Sequence, residues 1–390
     1  MTIELLAPAG NLEKLKIALA YGADAVYIAG KEFGLRSAAD NFTLDEITLA
    51  VKFVRNKNKK LYLALNALAH DGELKKLPGF IKNIRELPPD GLICSDLGVM
   101  RILRDHTDIP LHVSTQASVL NHRHALIYKN MGARRIVVGR ETGIREAGMI
   151  ARETGLEIEM FVHGALCMSY SGNCVISNYV AGRDSNRGGC IQNCRYAYHA
   201  ENMADPLYLM SSKDLNGLGH LKEFIQNKIT SLKIEGRMKS SLYIATTVRA
   251  YANAVKRILK DPGSSLSDLE EELTKIPHRD YTEGSLMKPA TKSSVYDHLD
   301  ELNPGYEMAG TVIEIDRENN RFLMQAKNKI VSGETLEILT YNCADISLET
   351  KKMDNVLEKP IEIIHPQGLA WFPLQNGIDS PMVVRKKTIP

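Results

Sequence analysis

The sequence predicts an α/β chain: a (β/α)8 TIM-like barrel with a cysteine-rich insertion after strand 7, followed by a small C-terminal antiparallel β-barrel. Three observations predict it. Eight short apolar runs alternate with amphipathic stretches over about 260 residues. Successive runs lie about 20 to 35 residues apart, except for one gap of about 70. From Asn303 onward the texture changes to short β-rich runs divided by Gly, Asn, Asp and Pro.

The eight runs are residues 3–6, 25–28, 61–65, 91–94, 111–113, 135–138, 156–162 and 231–234. Helical stretches follow most of them, for example 12–21, 44–55 and 144–154. Such alternation argues for a parallel sheet with covering helices; a doubly wound open sheet is the architectural alternative. The long gap precedes the eighth run and holds the insertion, about residues 163–206. In a barrel it leaves the C-terminal face, where catalytic groups sit. Residues 240–259 predict a closing helix with Ile244, Val248, Tyr251, Val255 and Ile258 on one buried face. Its charges, Arg249, Lys256 and Arg257, are assigned to a solvated face. Asp261-Pro262-Gly263 stops it. The expected domains are therefore 1–262 for the barrel, 263–302 for a linker with an acidic helix over 267–275, and 303–390 for the β domain. Its runs are 312–315, 321–325, 337–339, 361–364 and 382–384. Small β-barrels of this kind bind RNA or serve as packing modules.

Composition is that of an ordinary globular protein. The 390 residues are 44% hydrophobic and 25% charged, with 49 basic against 47 acidic side chains. A net charge of +2 neither demands nor excludes nucleic acid, because a basic patch can hide in a balanced total. No secretory signal and no bilayer-spanning apolar stretch is visible. The expected location is cytoplasmic, with no membrane association. There, clustered thiols read as metal ligands before disulfides.

Four of the six cysteines, Cys167, Cys174, Cys190 and Cys194, fall within 28 residues. Their pattern is Cys-x6-Cys-x15-Cys-x3-Cys. Four thiolates meeting at one point make a soft metal site. Structural zinc usually sits between Cys-x2-4-Cys pairs on tight turns, and only the second pair comes near that spacing. The wider first pair suits a larger object such as an iron–sulfur cluster. A stabilising zinc that staples the loop is the alternative. Cys94 closes a buried run and reads as a small core residue.

The ends of the apolar runs carry a second signal. Asn66, Asp96, Gln116, Arg140 with Glu141, and His163 follow them directly. After the eighth run, Lys233, Glu235 and Arg237 alternate with Ile234 and so share one strand face. Charges on an inward face need partners or a ligand. The reading without function is an ion-pair network at the barrel mouth.

One stretch is long and specific: Glu159-Met-Phe-Val-His-Gly-Ala-Leu-Cys167-Met-Ser-Tyr-Ser-Gly-Asn-Cys174-Val-Ile-Ser177. With Leu6-Ala-Pro-Ala-Gly10, Ser212-Lys-Asp-Leu215 and Lys233-Ile-Glu-Gly-Arg-Met-Lys239, it resembles the collagenase-like peptidase family of unassigned catalytic type. The resemblance spans most of the chain. Despite the family name, it implies oxygen-independent hydroxylation with prephenate as oxygen donor and a [4Fe-4S] cluster on the four cysteines. Members include a tRNA wobble-uridine hydroxylase making 5-hydroxyuridine, a ribosomal RNA cytidine hydroxylase, and a pair acting in ubiquinone synthesis. The barrel-plus-β-domain layout is similar to the tRNA enzyme, whose partner is a tRNA anticodon loop. Self-association or pairing with a paralogue is a further arrangement the resemblance allows.

A dicarboxylate donor needs fixed cations, for which Arg140, Lys233, Arg237 and Arg36 are the candidates. Glu235 and Glu141 are candidates for orienting them or for general-base work, and His163 and Gln116 for binding substrate polar groups. Tyr170 and Tyr196 offer stacking surfaces for an unstacked base. The peptidase alternative lacks a His-Glu-x-x-His or Gly-x-Ser-x-Gly motif, and the thiols suited to a cysteine nucleophile are committed to the metal.

Overall fold

The computed structural model describes residues 3–35, 40–199, 201, 205–296 and 304–388. Contacts divide the chain into two compact units. One comprises residues 1–15, 24–238 and 279–301; the other comprises 16–23, 239–278 and 302–390. The expected cut at 262 is thus not where compactness divides the chain, because 239–278 cluster with the C-terminal strands.

Eight parallel strands close the barrel of the first unit. They are β1 (Glu4–Pro8), β2 (Ala25–Ala29), β3 (Lys60–Ala64), β4 (Gly91–Cys94), β5 (Leu111–Val113), β6 (Ala133–Val137) and β7 (Glu157–Ala165), with Ser231–Ile234 as the eighth. The eighth strand pairs with both β1 (Leu6 beside Lys233) and β7 (Phe161 beside Lys233), which shuts the cylinder. The doubly wound alternative is thereby excluded. Helices follow the strands: α1 (Leu12–Ala20), α2 (Leu44–Asn56), the short α3 (Asp71–Leu74), α4 (Leu77–Arg85), α5 (Leu97–His106), α6 (His122–Asn130) and α7 (Ile144–Thr154).

Their starts are set by local hydrogen bonds. Thr43 and Glu46 form a reciprocal capping box on α2. Asn121 Oδ1 accepts the His124 N–H at 2.9 Å. Asp96 Oδ1 accepts the Val99 N–H at 3.0 Å, so this strand-end polar residue is a helix cap rather than a site group. Gly155, at φ +69°, ends α7 in the left-handed conformation.

The barrel interior is charged as well as apolar. Arg135 Nη1 donates to Glu4 (2.6 Å) and Glu159 (3.0 Å), and its other nitrogens reach Glu157 (2.8 and 2.9 Å). Lys233 Nζ donates to Glu159 at 2.8 Å. Burial raises the Glu159 carboxyl's pKa, but Lys233 and Arg135 outweigh it and hold the group below the ordinary value.

Beside this network His112 is buried against Tyr62, ring centroids 4.7 Å apart. Burial, aided by Arg135, pushes its pKa down to about 3 from 6.5. The imidazole is therefore neutral when folded and takes up a proton more readily when unfolded. Stability associated with it is complete above pH 6.5 and is lost as the pH falls from there toward 3. In urea titrations between pH 7.5 and 4.5, His112→Gln is expected to remove up to about 1.4 kcal/mol per pH unit of acid dependence relative to the parent chain.

After β7 come α8 (Ile176–Ala181), β8 (Ser211–Ser212), β9 (Asp214–Asn216) and α9 (Leu221–Gln226); β10 is the eighth barrel strand, Ser231–Ile234. β9 runs antiparallel to the end of β7.

The second unit contains α10 (Ser241–Lys260) and α11 (Ser267–Leu273). Helix α10 is buried on most of its circumference, so Arg249 does not lie on a solvated face. It is fully buried and paired with Glu272 and Asp345, while Arg385 donates to the same two carboxylates. Arg257, by contrast, pairs with Asp268 near solvent.

The remaining strands are β11 (Tyr281–Thr282) and β12 (Val295–Tyr296) in the first unit. In the second they are β13 (Tyr306–Asp316), β14 (Arg321–Ala326), β15 (Ile330–Val331), β16 (Thr335–Ile338), β17 (Ile346–Glu349), β18 (Asp354–Asn355), β19 (Ile363–Ile364), β20 (Leu369–Pro373) and β21 (Met382–Lys387). Seven of them form one antiparallel sheet in the order β17-β16-β21-β13-β14-β20-β18. Among the described residues its end strands β17 and β18 do not pair, so the small antiparallel β domain is curled as a half-barrel. Phe322 and Phe372 stack at 5.4 Å inside it. Among the described residues no helix is long and apolar enough to cross a membrane.

Candidate active site at the barrel mouth

A cavity of about 1020 Å³, counting its solvent-open part, lies at the C-terminal ends of the barrel strands. Its floor and sides come from strand ends: Tyr27 of β2, Asn66 after β3, Gln116 after β5, Arg140 after β6, Phe161 of β7, and Lys233, Glu235 and Arg237 at the end of β10. Its remaining wall is the insertion, including all four cysteines, Cys167, Cys174, Cys190 and Cys194.

Two rings order the cations. Lys233 Nζ stands 4.4 Å from the Tyr27 ring centroid and 5.5 Å from that of Phe161. The Arg140 guanidinium lies 4.6 Å from the Phe161 ring centroid. Lys233 is neutralised from below by Glu159. Among the described residues no carboxylate lies within ion-pair distance of Arg140. Arg237 is buried, with Nη1 3.4 Å from Asn41 Oδ1. Glu235 accepts the Tyr27 hydroxyl at 3.1 Å, and its backbone N–H donates to the His163 carbonyl. Gln116 Oε1 accepts the Ser114 hydroxyl and, at 3.4 Å, the Asn66 amide.

The insertion is held by side chains, because it has little regular structure. Asn186 clasps the Cys174 backbone in both directions, at 3.0 and 3.2 Å. Arg187 makes a bidentate pair with Glu73 of α3, at 2.7 and 2.8 Å. Ser177 of α8 donates to Asn193 Oδ1 and accepts the Ile191 N–H. Gly189 leaves no room for a side chain: a Cβ there would stand 2.7 Å from the Asp184 carbonyl.

Four predicted residues are not on the cavity wall. His163 is buried with its ring against Tyr281, centroids 5.5 Å apart. A bulge between β7 and β10 inserts one residue after Phe161, and His163 loses the inward parity that alternation would have given it. Glu141 faces a neighbouring cavity and clamps the insertion, accepting the Ser171 backbone N–H at 2.6 Å and its hydroxyl at 3.0 Å. Tyr170 is exposed on the turn before Ser171, and Tyr196 is likewise exposed. Arg36 lies outside the described residues.

Residues that the sequence did not single out complete the site. Glu159 and Arg135 fix Lys233 from the barrel interior. Among the described residues Asn193 Nδ2 and Ser185 Oγ are buried without hydrogen-bond partners, and both residues line the thiol-bearing wall. Burial pushes the Cys194 thiol's pKa up, Arg195 relieves it, and Cys167, Cys190 and Cys174 each raise it further. Among the described residues no three of His, Cys, Asp and Glu converge tightly enough to hold one metal ion.

Fold and site together define a (β/α)8-barrel protein whose catalytic face carries an anion-attracting, thiol-walled cavity. Residues 10–295 match peptidase family U32, and residues 304–385 match the C-terminal domain of that family. The chain belongs to peptidase family U32. It is 38% identical to tRNA hydroxylation protein P1 of Bacillus subtilis (strain 168), across 98% of this chain and 94% of that one. It is 35% identical to the 23S rRNA 5-hydroxycytidine C2501 synthase of Escherichia coli (strain K12), over 67% of this chain and 40% of that one. A protein of Porphyromonas gingivalis (strain ATCC BAA-308 / W83) named collagenase is 28% identical over 72% of each chain.

Proposed function

We propose that the chain is an RNA-modifying hydroxylase that places a 5-hydroxyl on the wobble uridine of tRNA, taking the oxygen from prephenate. The observation that carries this reading is the joint lining of one cavity by three cations and four thiols. It is supported by 38% identity, over nearly the whole chain, to a relative named for tRNA hydroxylation. A target base has to leave its stack to reach a barrel mouth, so the RNA would enter through an unpaired loop. Its place of work would be the cytoplasm, where tRNA and reduced thiols coexist.

The residues present suit a [4Fe-4S] cluster on Cys167, Cys174, Cys190 and Cys194. Four soft donors border one cavity, and the unpartnered Asn193 and Ser185 donors beside them suit sulfide acceptors. A zinc ion stapling the same four cysteines is the alternative. When bound, the cluster would supply electron-relay or Lewis-acid chemistry at this wall. Arg140, Lys233 and Arg237 would bind the donor's carboxylates, with Arg140 forming the bidentate contact. Glu235, hydrogen-bonded to Tyr27, is the carboxylate placed to take a proton from a substrate in the cavity.

A ribosomal RNA cytidine is the alternative substrate, favoured by the similarity to the rRNA synthase. Proteolysis by a cysteine nucleophile is disfavoured by the site itself, since among the described residues no histidine lines the cavity.

Nucleoside mass spectrometry of tRNA from a strain lacking this gene and its paralogues tests the reading. Derivatives of 5-hydroxyuridine are expected to vanish, to return with the parent gene, and to stay absent with Cys174→Ser. Protein purified without oxygen is expected to be brown. Unchanged tRNA with altered ribosomal RNA would move the substrate to the ribosome. Gelatin cleavage that survives loss of each cysteine would restore the peptidase alternative.

A further inference from the structure

Helix α8 leaves an apolar face uncovered on the same insertion that walls the cavity. Tyr179 is 87% exposed, and Val175 and Val180 beside it are 57% and 59% exposed. Val175 and Tyr179 are four residues apart, so they present one strip. The opposite side of α8 is fixed: Ser177 is fully buried and bonds Asn193, which lines the cavity. Asn178 Oδ1 accepts the Ser185 N–H at 3.4 Å, and Ser185 lines the cavity too. Hydrogen bonds from α8 thus tie the strip to two residues of the cavity wall. A tyrosine this exposed, flanked by valines, marks a contact surface more than chance exposure does.

The surrounding charge selects the occupant. Residues 166–199 contain three arginines, no lysine and one acidic residue, Asp184; Arg187 is taken up by Glu73, which leaves Arg183 and Arg195. The Asp184 carboxylate is turned inward to cap the Asn186 N–H at 2.9 Å. Arg183, four residues after Tyr179, is exposed. The β domain, by contrast, carries ten basic and twelve acidic residues over 303–390.

We infer that the Val175–Tyr179 strip of α8 is a stacking platform for an unpaired RNA base neighbouring the one in the cavity, with Arg183 on the adjoining phosphate. The inference rests on the RNA-hydroxylase reading and adds to it where the loop is gripped. An aromatic face accepts any base, and arginine holds the backbone without reading sequence. The platform therefore gives affinity for single-stranded loops and not choice among bases.

The test uses the full chain purified without oxygen and two fluorescent RNAs, a stem-loop and a fully paired duplex of equal length. Tyr179→Ala is expected to weaken stem-loop binding about tenfold or more, and Tyr179→Phe to stay within about twofold of the parent. Duplex binding should be the same in all three. In steady state, the alanine variant should raise KM for RNA while leaving kcat unchanged, a split that a misfolded insertion would not give. Equal stem-loop affinity in the alanine variant and the parent overturns the platform while the hydroxylase reading stands. A parent chain that binds neither RNA overturns both. A change of oligomeric state on Tyr179→Ala, seen by sedimentation, would assign the strip to a second copy of the chain and overturn the inference.

Discussion

Glu159→Leu is expected to destabilise the barrel by about 3–5 kcal/mol, the cost of stranding a buried charge. Glu159 is fully buried and, among the described residues, is the one carboxylate that touches both Arg135 (3.0 Å) and Lys233 (2.8 Å). Arg135 keeps Glu4 and Glu157 when Glu159 is lost. Among the described residues Lys233 keeps only the faces of Tyr27 and Phe161, which offset a small part of its lost pairing. The double change Glu159→Leu with Lys233→Met removes both ions and should cost clearly less than the two single changes summed. Urea unfolding of the four proteins measures the coupling. A loss below about 1 kcal/mol for Glu159→Leu would mean that water reaches Lys233, and the cavity floor would then not be built from inside the barrel.

That pair also shows what the sequence could and could not disclose. The strands at 91–94, 111–113 and 231–234 appear where their apolar runs lie, because a parallel barrel strand is buried on both faces and reads as an uninterrupted run. The shared face of Lys233, Glu235 and Arg237 follows from alternation alone, and all three reach the cavity. Glu159 was visible as a charge within an apolar strand, but its partner lies 74 residues away across the seam that closes the barrel. Nothing local ties the two. His163 was misplaced for a related reason: a bulge depends on how β10 pairs with β7, not on the residues of β7 alone.

Arg249 shows the limit of helix periodicity. Its position beside the apolar stripe of α10 is compatible with solvent or with a buried pair, and only Glu272 and Asp345 decide between them. The short strands Ile346–Glu349 and Leu369–Pro373 escaped notice because they carry few buried residues each. The path of the insertion is set by Asn, Ser and Arg side chains bonding to backbone, which leaves no periodic signal at all. Its cysteine spacing was legible, whereas the donors of Asn193 and Ser185 emerge only once the wall is folded.

Arg140→Met should act in the opposite sense to Glu159→Leu, sparing the fold and removing the reaction. The Arg140 guanidinium pairs with no carboxylate among the described residues and rests on Phe161, so its loss strands no protein charge. Unfolding free energy should change by less than about 1 kcal/mol. For a carboxylate donor held in the cavity, however, the same change removes a bidentate charge-assisted contact. Losses of about 2–4 kcal/mol are typical of such contacts, which corresponds to roughly 30- to 1000-fold in kcat/KM for the donor. Arg140→Lys keeps the charge but not the planar fork, so it should recover part of that loss and leave KM for the donor raised. Steady-state rates with saturating RNA and varied donor separate these outcomes. An Arg140→Met enzyme with the parent's donor dependence would place the donor elsewhere in the cavity, leaving Lys233 and Arg237 as its cations. Lys233 is already neutralised by Glu159, which is why the unpaired arginine above it is the stronger claimant for an incoming anion.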